Sequence, residues 1–335
     1  MKQLKVKEKD GSYVNLQFDK ITQLFGLNGE RKDFILDTIA KHFSKHRYNE
    51  DETIQSESVK LAGEEVGRSY FETQYIYDIL DIEANLSFTK TSLLREFVTI
   101  EAEQIAIIDI LEQMNRSVQS LMDNLNIVMQ KKIDSIFLST DDYTIDEFLK
   151  KKITIDIENN EHSCMKYLDN SKKLEMFLNL LEEANHLMPK KRLIILRNID
   201  MYINQYEYLE IMLKIKEITD ASDCWFIVTT SKIGYGLITD ETIEGINVIN
   251  DSVFNVPSLD VLKEFIESKY PVDKTFEANE FIEELTEIIQ QIGQRTKLKS
   301  TCSQVLLKTI NIAEYCEVIA SKPSNSLELA YIQSH

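Results

Sequence analysis

The chain has 335 residues, of which 43% are apolar and 28% charged, and this balance excludes disorder as the main state of the protein. Its 38 basic and 56 acidic residues give a formal net charge of -18. Such a charge excludes a general nucleic-acid coat unless positive side chains are concentrated on one surface. The length suits two domains, or one large domain with an insertion.

Targeting signals and cysteine pairs are not evident. The sequence has no run of about 18 uncharged apolar residues, so no membrane helix is expected. The N-terminal stretch MKQLKVKEKD lacks the apolar core of a signal peptide. Four cysteines lie far apart without a CxxC pair, which argues against a disulfide framework and a structural zinc site. A reducing cytoplasm fits these observations.

The N-terminal region combines strand and helix patterns. Apolar and polar residues alternate in 4–7 and 13–18 on either side of an Asp-Gly pair, which predicts a β-hairpin. Apolar residues at helical spacing in 34–43 predict a helix. The region 69–82 is rich in Tyr, Phe and Ile and predicts further strand structure.

A helical arm is predicted from 89 to 138. No glycine or proline occurs between Gly67 and Pro189, as expected of a mostly helical stretch. Spacings of 3, 4, 3, 4 and 3 residues separate the members of one apolar stripe: Leu111, Met114, Val118, Leu121, Leu125 and Val128. This stripe is typical of a long helix packed on another helix, in a bundle or in a coiled coil.

Apolar runs alternate with helical patterns after the arm. Strands are predicted at 153–157, 193–196, 225–228 and 247–249, and helices at 172–187, 206–219, 261–270, 276–292 and 302–319. The succession of strand, helix and strand indicates a parallel sheet covered by helices. The predicted fold class is therefore α/β. A parallel-sheet head (1–88 and 151–272) is interrupted by a helical leg (89–150) and followed by a helical C-terminal extension (273–335).

The segment after the hairpin has the outline of a phosphate-binding loop. Such a loop needs glycines whose N–H groups wrap phosphates, a lysine for the terminal phosphates, and a hydroxyl for Mg²⁺. The degenerate loop predicted here consists of Gly26, Asn28, Gly29 and Lys32, with both glycines and the lysine in matching positions. Arg31 stands where a second close glycine is required, and Asp33 replaces the hydroxyl.

The strand predicted at 193–196 also lacks a catalytic group. In P-loop enzymes an acid that orients the metal follows this strand, whereas here Arg197 and Asn198 follow it and Asp200 comes late. The layout predicts a P-loop-ATPase-like head with a degenerate nucleotide site. An active P-loop NTPase that uses Lys32 is the alternative.

Positive charge is clustered between residues 128 and 192. This window has 11 basic and 12 acidic residues, a net charge of -1, whereas the rest of the chain has -17. The clusters fit solvated helix ends, or contact with DNA phosphates without base readout, for which lysine is well suited. The candidate DNA-binding residues are Lys131, Lys132, Lys150, Lys151, Lys152, Lys172, Lys173, Lys190, Lys191 and Arg192. The acidic cluster 139–147 fits a helix N-cap or a Ca²⁺ site.

These patterns together resemble a known family. The features that carry the resemblance lie between residues 142 and 271. They are the acidic turn, the strand 153–157, the helix 172–187, the run Lys-Lys-Arg-Leu-Ile-Ile-Leu and the strand with Trp225. They are similar to the DNA-binding adaptation protein of type II-A CRISPR systems in its large, streptococcal-type form. The degenerate loop and the inserted arm support the resemblance, and the helices from about residue 273 resemble the addition that marks the large form.

The resemblance implies a mechanism without catalysis. Such proteins look like P-loop ATPases that do not hydrolyse nucleotide, and they form homotetrameric rings whose basic lining encircles double-stranded DNA ends. They act in spacer acquisition with the adaptation integrase proteins and the effector nuclease. No cofactor is required, although shorter relatives bind Ca²⁺ near the legs, and Asp141, Asp142 and Glu147 are the candidate ligands here.

The predicted function is a non-enzymatic, sequence-independent ring on DNA ends in CRISPR adaptation, in the cytoplasm and without a membrane partner. Two alternatives stay open: the active NTPase, and a helical scaffold that pairs with partner helices and does not touch DNA.

Overall fold

The computed structural model describes most of the chain, in nine ranges. These ranges are 2–44, 46–49, 58–103, 105–133, 136–145, 147–148, 165–294, 300–313 and 326–333. The chain divides into a first unit, Met1–Ile79 with Pro189–His335, and a second unit, Leu80–Met188. The predicted strand 153–157 and the candidates Lys150, Lys151 and Lys152 lie outside the described residues.

A six-stranded sheet organises the first unit. Its strands are β3 (Ile21–Phe25), β6 (Glu72–Ile76), β7 (Arg192–Leu196), β8 (Cys224–Thr229), β9 (Ile246–Ile249) and β10 (Val253–Asn255). They lie in the order β10-β9-β3-β8-β7-β6, and all neighbours are parallel except β9 and β10. The prediction of a parallel sheet is therefore confirmed, and β7 and β8 are the continuous apolar runs expected of buried strands.

A smaller antiparallel sheet lies in the same unit. It has the order β2-β1-β4-β5, from β1 (Lys2–Lys7), β2 (Tyr13–Phe18), β4 (Val59–Leu61) and β5 (Glu64–Glu65). The first two strands form the predicted hairpin. Alternate residues of β1 and β2 are buried against α1 (Gly29–Phe43), because side chains in a strand point to opposite faces in turn.

Helices complete the first unit. They are α6 (Gln205–Ala221), α7 (Leu259–Lys269), α8 (Ala278–Ile288), α9 (Thr301–Ala313) and α10 (Ser326–Gln333). The C-terminal helices do not form a separate core, because Phe281 and Leu306 belong to the same buried apolar cluster as Val248 of β9. In the described ranges, no helix of either unit combines the length and hydropathy needed to cross a bilayer.

The second unit is helical. It contains most of α2 (Ile79–Asn85), together with α3 (Leu93–Ala102), α4 (Ile105–Gln130) and α5 (Asn170–Leu187). The helix predicted at 172–187 is present, but it packs on α3 in this unit, whereas the sequence placed it in the head. The return segment follows α4, since Asn115 and Asn126 each exchange two hydrogen bonds with its backbone, at Tyr143 and Leu138.

Candidate functional site

The loop after β3 has its backbone donors satisfied by the protein itself. The Gly26 N–H donates to the side-chain Oε1 of Gln290 at 2.8 Å, and the Leu27 N–H donates to Oδ1 of Asn250 at 2.6 Å. Both side chains are buried. These are N–H groups that a bound phosphate would require, so the loop is closed to an anion in this conformation.

Gln290 makes the central hydrogen bonds that close the loop. It lies in the 3₁₀ turn Ile289–Gln291 that follows α8, in the C-terminal part of the chain. Its Nε2 donates to the Thr230 hydroxyl and to the Lys232 carbonyl, beyond the end of β8. One buried amide therefore links the loop to the neighbouring strand end and fills the space between them.

Asn28 and Arg31 also have structural partners. Asn28 caps α1, because its side-chain oxygen accepts the Arg31 N–H at 3.0 Å. The Arg31 guanidinium makes two bonds with the Glu8 carboxylate, at 2.6 and 2.7 Å, and also donates to the Asn250 and Asp251 carbonyls. Arg31 thus joins the loop to Glu8, which directly follows β1, and to the turn that follows β9.

The lysine of the loop points into the protein. Lys32 is 3% exposed, and its Nζ donates to the Thr230 carbonyl at 2.6 Å. Burial lowers the pKa of Lys32 to about 8, against the opposing attraction of Asp200 and Asp33. An ammonium group in this position cannot reach a phosphate without leaving its buried contact.

Lys32 should make stability depend on pH. Its pKa is lower in the folded chain than in the unfolded chain, so between about pH 8 and 10.5 the unfolded chain binds more protons. The free energy of unfolding of wild type should therefore rise over this window, relative to Lys32→Met, by about 2–3 kcal/mol. Urea unfolding of both proteins at several pH values measures the difference. A difference that is constant with pH, as expected for the exposed-lysine control Lys90→Met, would contradict the assignment.

Arg197 and Asp33 pair with each other. The Arg197 guanidinium makes a bidentate ion pair with the Asp33 carboxylate, with distances of 2.7 and 2.6 Å. This hydrogen-bonded pair raises the pKa of Arg197, and the guanidinium also lies 4.2 Å from the ring centroid of Tyr77. Asp33, at the position that the sequence comparison with a phosphate-binding loop assigns to a hydroxyl, is therefore held in a structural ion pair.

Asp200 holds the end of β8. Its carboxylate is fully buried, and Oδ2 accepts hydrogen bonds from the Ser231 N–H, the Ser231 hydroxyl and the Lys232 N–H at 2.7–2.9 Å. The other oxygen, Oδ1, has no hydrogen-bond partner. Asp200 thus fixes the segment whose carbonyls receive Lys32 and Gln290.

The predicted basic residues fall into three groups. Lys172 and Lys173 pair with Glu175 and Glu83, and Lys190 and Arg192 both pair with Glu72. Lys173 is 5% exposed and Arg192 is 0% exposed. The prediction that these two side chains contact DNA phosphates is therefore corrected: they are buried ion-pair partners. Lys150, Lys151 and Lys152 lie outside the described residues.

Three of the ten candidates keep their charge available. Lys131 and Lys132 are exposed after α4. Lys191 lies 3.9 Å above the ring centroid of Tyr70. In the part of the chain that the structure describes, no carboxylate pairs with any of these three lysines. They are the members of the predicted set whose environment suits phosphate contact.

The acidic turn does not assemble a metal site from described residues. Within those residues, no group of three acidic, histidine or cysteine side chains comes together to hold a metal ion. The Glu147 carboxylate accepts from the Thr144 N–H and hydroxyl, as in a helix cap, while Asp141 and Asp142 are exposed. The calcium prediction for Asp141, Asp142 and Glu147 thus rests on the resemblance alone.

Sequence reasoning missed the residues that close the loop. Asn250 and Gln290 are more than 200 positions from Gly26, and neither belongs to a recognisable motif. Within the loop itself, the sequence offers only the replacements at Arg31 and Asp33. They predict a loop without nucleotide binding, but they do not identify Gln290 and Asn250 as the residues that close it.

The family follows from the whole chain. The model of the family described as CRISPR-associated protein Csn2 subfamily St matches residues 6–316. The crystal structure of Stu0660 of Streptococcus thermophilus has the same fold, with a TM-score of 0.88, 22% sequence identity, and coverage of 98% of this chain and 99% of that chain. The SmcHead bound to the C-winged helix domain of ScpA has a TM-score of 0.44 and 14% identity, with coverage of 78% and 98%. A search of curated proteins finds no match. Because the family model covers nearly the entire sequence, this chain belongs to the CRISPR-associated Csn2 family, subfamily St.

Proposed function

We propose that this chain is a non-catalytic, sequence-independent binder of double-stranded DNA ends that acts in CRISPR spacer acquisition in the cytoplasm. It forms a homotetrameric ring around the duplex and works with the adaptation integrase proteins and the effector nuclease. Family membership supports the role in adaptation. The observation that carries the absence of catalysis is the closed loop, in which Gln290, Asn250 and Thr230 occupy the donors that a nucleotide would need.

The electrostatic part of the proposal rests on exposed lysines. Lys131, Lys132 and Lys191 have no carboxylate partner in the described ranges, unlike most of the other clustered basic residues. Ammonium groups that neutralise phosphates release counterions, so affinity should fall steeply as salt increases. The relation of the head to P-loop ATPases stays a prediction within this proposal, as does calcium.

Encirclement predicts a difference between DNA topologies. A closed ring can thread onto a free duplex end but cannot enter a covalently closed circle, so linear DNA should bind and the circle should not. Mobility shift with one plasmid, tested as the circle and after a single cut that makes it linear, measures this difference. Equal binding of both forms would refute encirclement.

The two alternative functions give different results. A scaffold protein would bind neither DNA form, even at low salt. An active NTPase would take up Mg-ATP in isothermal titration, and measurable uptake would contradict the closed loop.

A further inference from the structure

The outer face of the small antiparallel sheet carries three lysines close together. Lys5 and Lys7 lie two residues apart on β1, while their neighbours Leu4 and Val6 are buried on the inner face. The register places Lys60 of β4 directly opposite Lys5. Because side chains alternate along a strand, these three side chains leave the sheet on the same face, here called the lysine face.

Among the described residues, no carboxylate forms an ion pair with the lysine face. Like charges directly opposite on neighbouring strands destabilise a sheet, so the pairing of Lys5 with Lys60 costs stability. Glu65 lies opposite Lys60 on β5, but no ion pair joins them. The Lys60 ammonium lies 5.7 Å from the ring centroid of Tyr13. Throughout the described ranges, no carboxylate pairs with Lys5, Lys7 or Lys60.

Eight other lysines of the first unit are neutralised by carboxylates. Each of the following contacts a carboxylate: Lys9, Lys20, Lys41, Lys190, Lys214, Lys216, Lys263 and Lys274. A chain with 56 acidic residues has carboxylates to spare for its 38 basic ones. Single lysines without a carboxylate partner also occur elsewhere in the described residues, but on the lysine face three of them lie together on adjacent strands. Such a concentration of unneutralised charge in an acidic protein is expected of a surface whose counter-charge comes from a ligand.

We propose that the lysine face, Lys5, Lys7 and Lys60, binds the phosphate backbone of duplex DNA. This inference rests on the proposed function and adds a contact surface in the first unit, outside the clusters between 128 and 192. Lysine suits phosphate contact without base readout, whereas the cores of protein–protein interfaces are depleted in lysine. The outward side chains of β2 are the polar Asn15 and Gln17 and one aromatic residue, Tyr13, so polar and charged groups make up most of this face.

The test removes the three charges and compares a matched control. The variant K5Q/K7Q/K60Q is compared with K90Q/K166Q/K269Q, which takes the same charge from exposed lysines without an ion pair in the described residues. Fluorescence anisotropy with a linear duplex is measured over a series of salt concentrations. Affinity of the first variant at about 0.1 M salt should fall at least about tenfold, and its salt slope should decrease in magnitude by about 2–3, since each phosphate contact contributes about 0.9. The control should stay within about twofold of wild type.

The outcomes separate the inference from the proposed function. If wild type binds and K5Q/K7Q/K60Q behaves like the control, the lysine face is overturned and DNA binding stands. If wild type does not bind DNA even at low salt, the lysine-face proposal and the proposed function are both refuted. If the variant loses affinity for poly-L-glutamate but keeps its affinity for DNA, the face takes an acidic protein and the proposal is wrong.

Circular dichroism melting checks that the triple variant is folded. Should it melt below wild type, the three single substitutions are measured in the same way. Unchanged salt slopes in all three would overturn the proposal.

Discussion

Replacing Gly26 with alanine should destabilise the first unit by about 3–6 kcal/mol, enough to unfold a protein of ordinary stability. Gly26 has a φ of +100°, which a residue with a side chain rarely adopts. A Cβ built there would lie 2.1 Å from the Ile249 carbonyl oxygen and 2.5 Å from its carbon. These are backbone atoms of β9, so the clash cannot be relieved by a change of rotamer.

Gly29 provides the matched control for this prediction. It lies three residues further along, at the start of α1, with open space where a Cβ would be and no positive φ. Gly29→Ala should therefore be neutral or stabilising by up to about 1 kcal/mol. Thermal melting of both variants measures the contrast. If Gly26→Ala has the same melting temperature as wild type, then the close approach to β9 does not require glycine at this position.

The strands of the large sheet show what the sequence could predict. β7 and β8 contain the uninterrupted apolar runs 193–196 and 225–228, and each predicted strand matches the observed one within one residue at each end. β3, in the centre of the sheet, was missed because Thr22 and Gln23 interrupt its apolar run. In the fold, the Gln23 amide bonds both the N–H and the carbonyl of Leu237, which removes the cost of burying it. A partner 214 positions away leaves no local signal.

The candidate site has the same division between local and distant information. From the sequence, Arg31 and Asp33 predict that the loop does not work as a nucleotide site. Their partners, Glu8 and Arg197, become visible only when the strands are assembled. Charge clusters were less informative, because a run such as 190–192 does not reveal that Glu72 lies on the neighbouring strand. Which lysines lack a carboxylate partner can therefore be seen only in the folded structure.

Replacing Asp200 with alanine should cost about 3–5 kcal/mol of stability. The side chain is fully buried, and its Oδ2 is the acceptor for the Ser231 N–H, the Ser231 hydroxyl and the Lys232 N–H. Alanine would leave these donors without that acceptor in a place where water does not replace it. It would also remove the nearby negative charge that favours the protonated form of Lys32.

Asp200→Asn distinguishes the hydrogen bonds from the charge. The amide oxygen can still accept from Ser231 and Lys232, and the amide nitrogen can take the position of Oδ1, which has no partner in the native fold. Asn should therefore cost less than half as much as alanine, and Ser231→Ala, which removes one hydroxyl donor, should cost about 1 kcal/mol. Chemical denaturation of the three variants gives these values. Asn keeps an acceptor for the hydrogen bonds but loses the negative charge, whereas Ala loses both. An equal loss of unfolding free energy in the two variants would therefore show that Asp200 stabilises the fold through its charge and not through its hydrogen bonds.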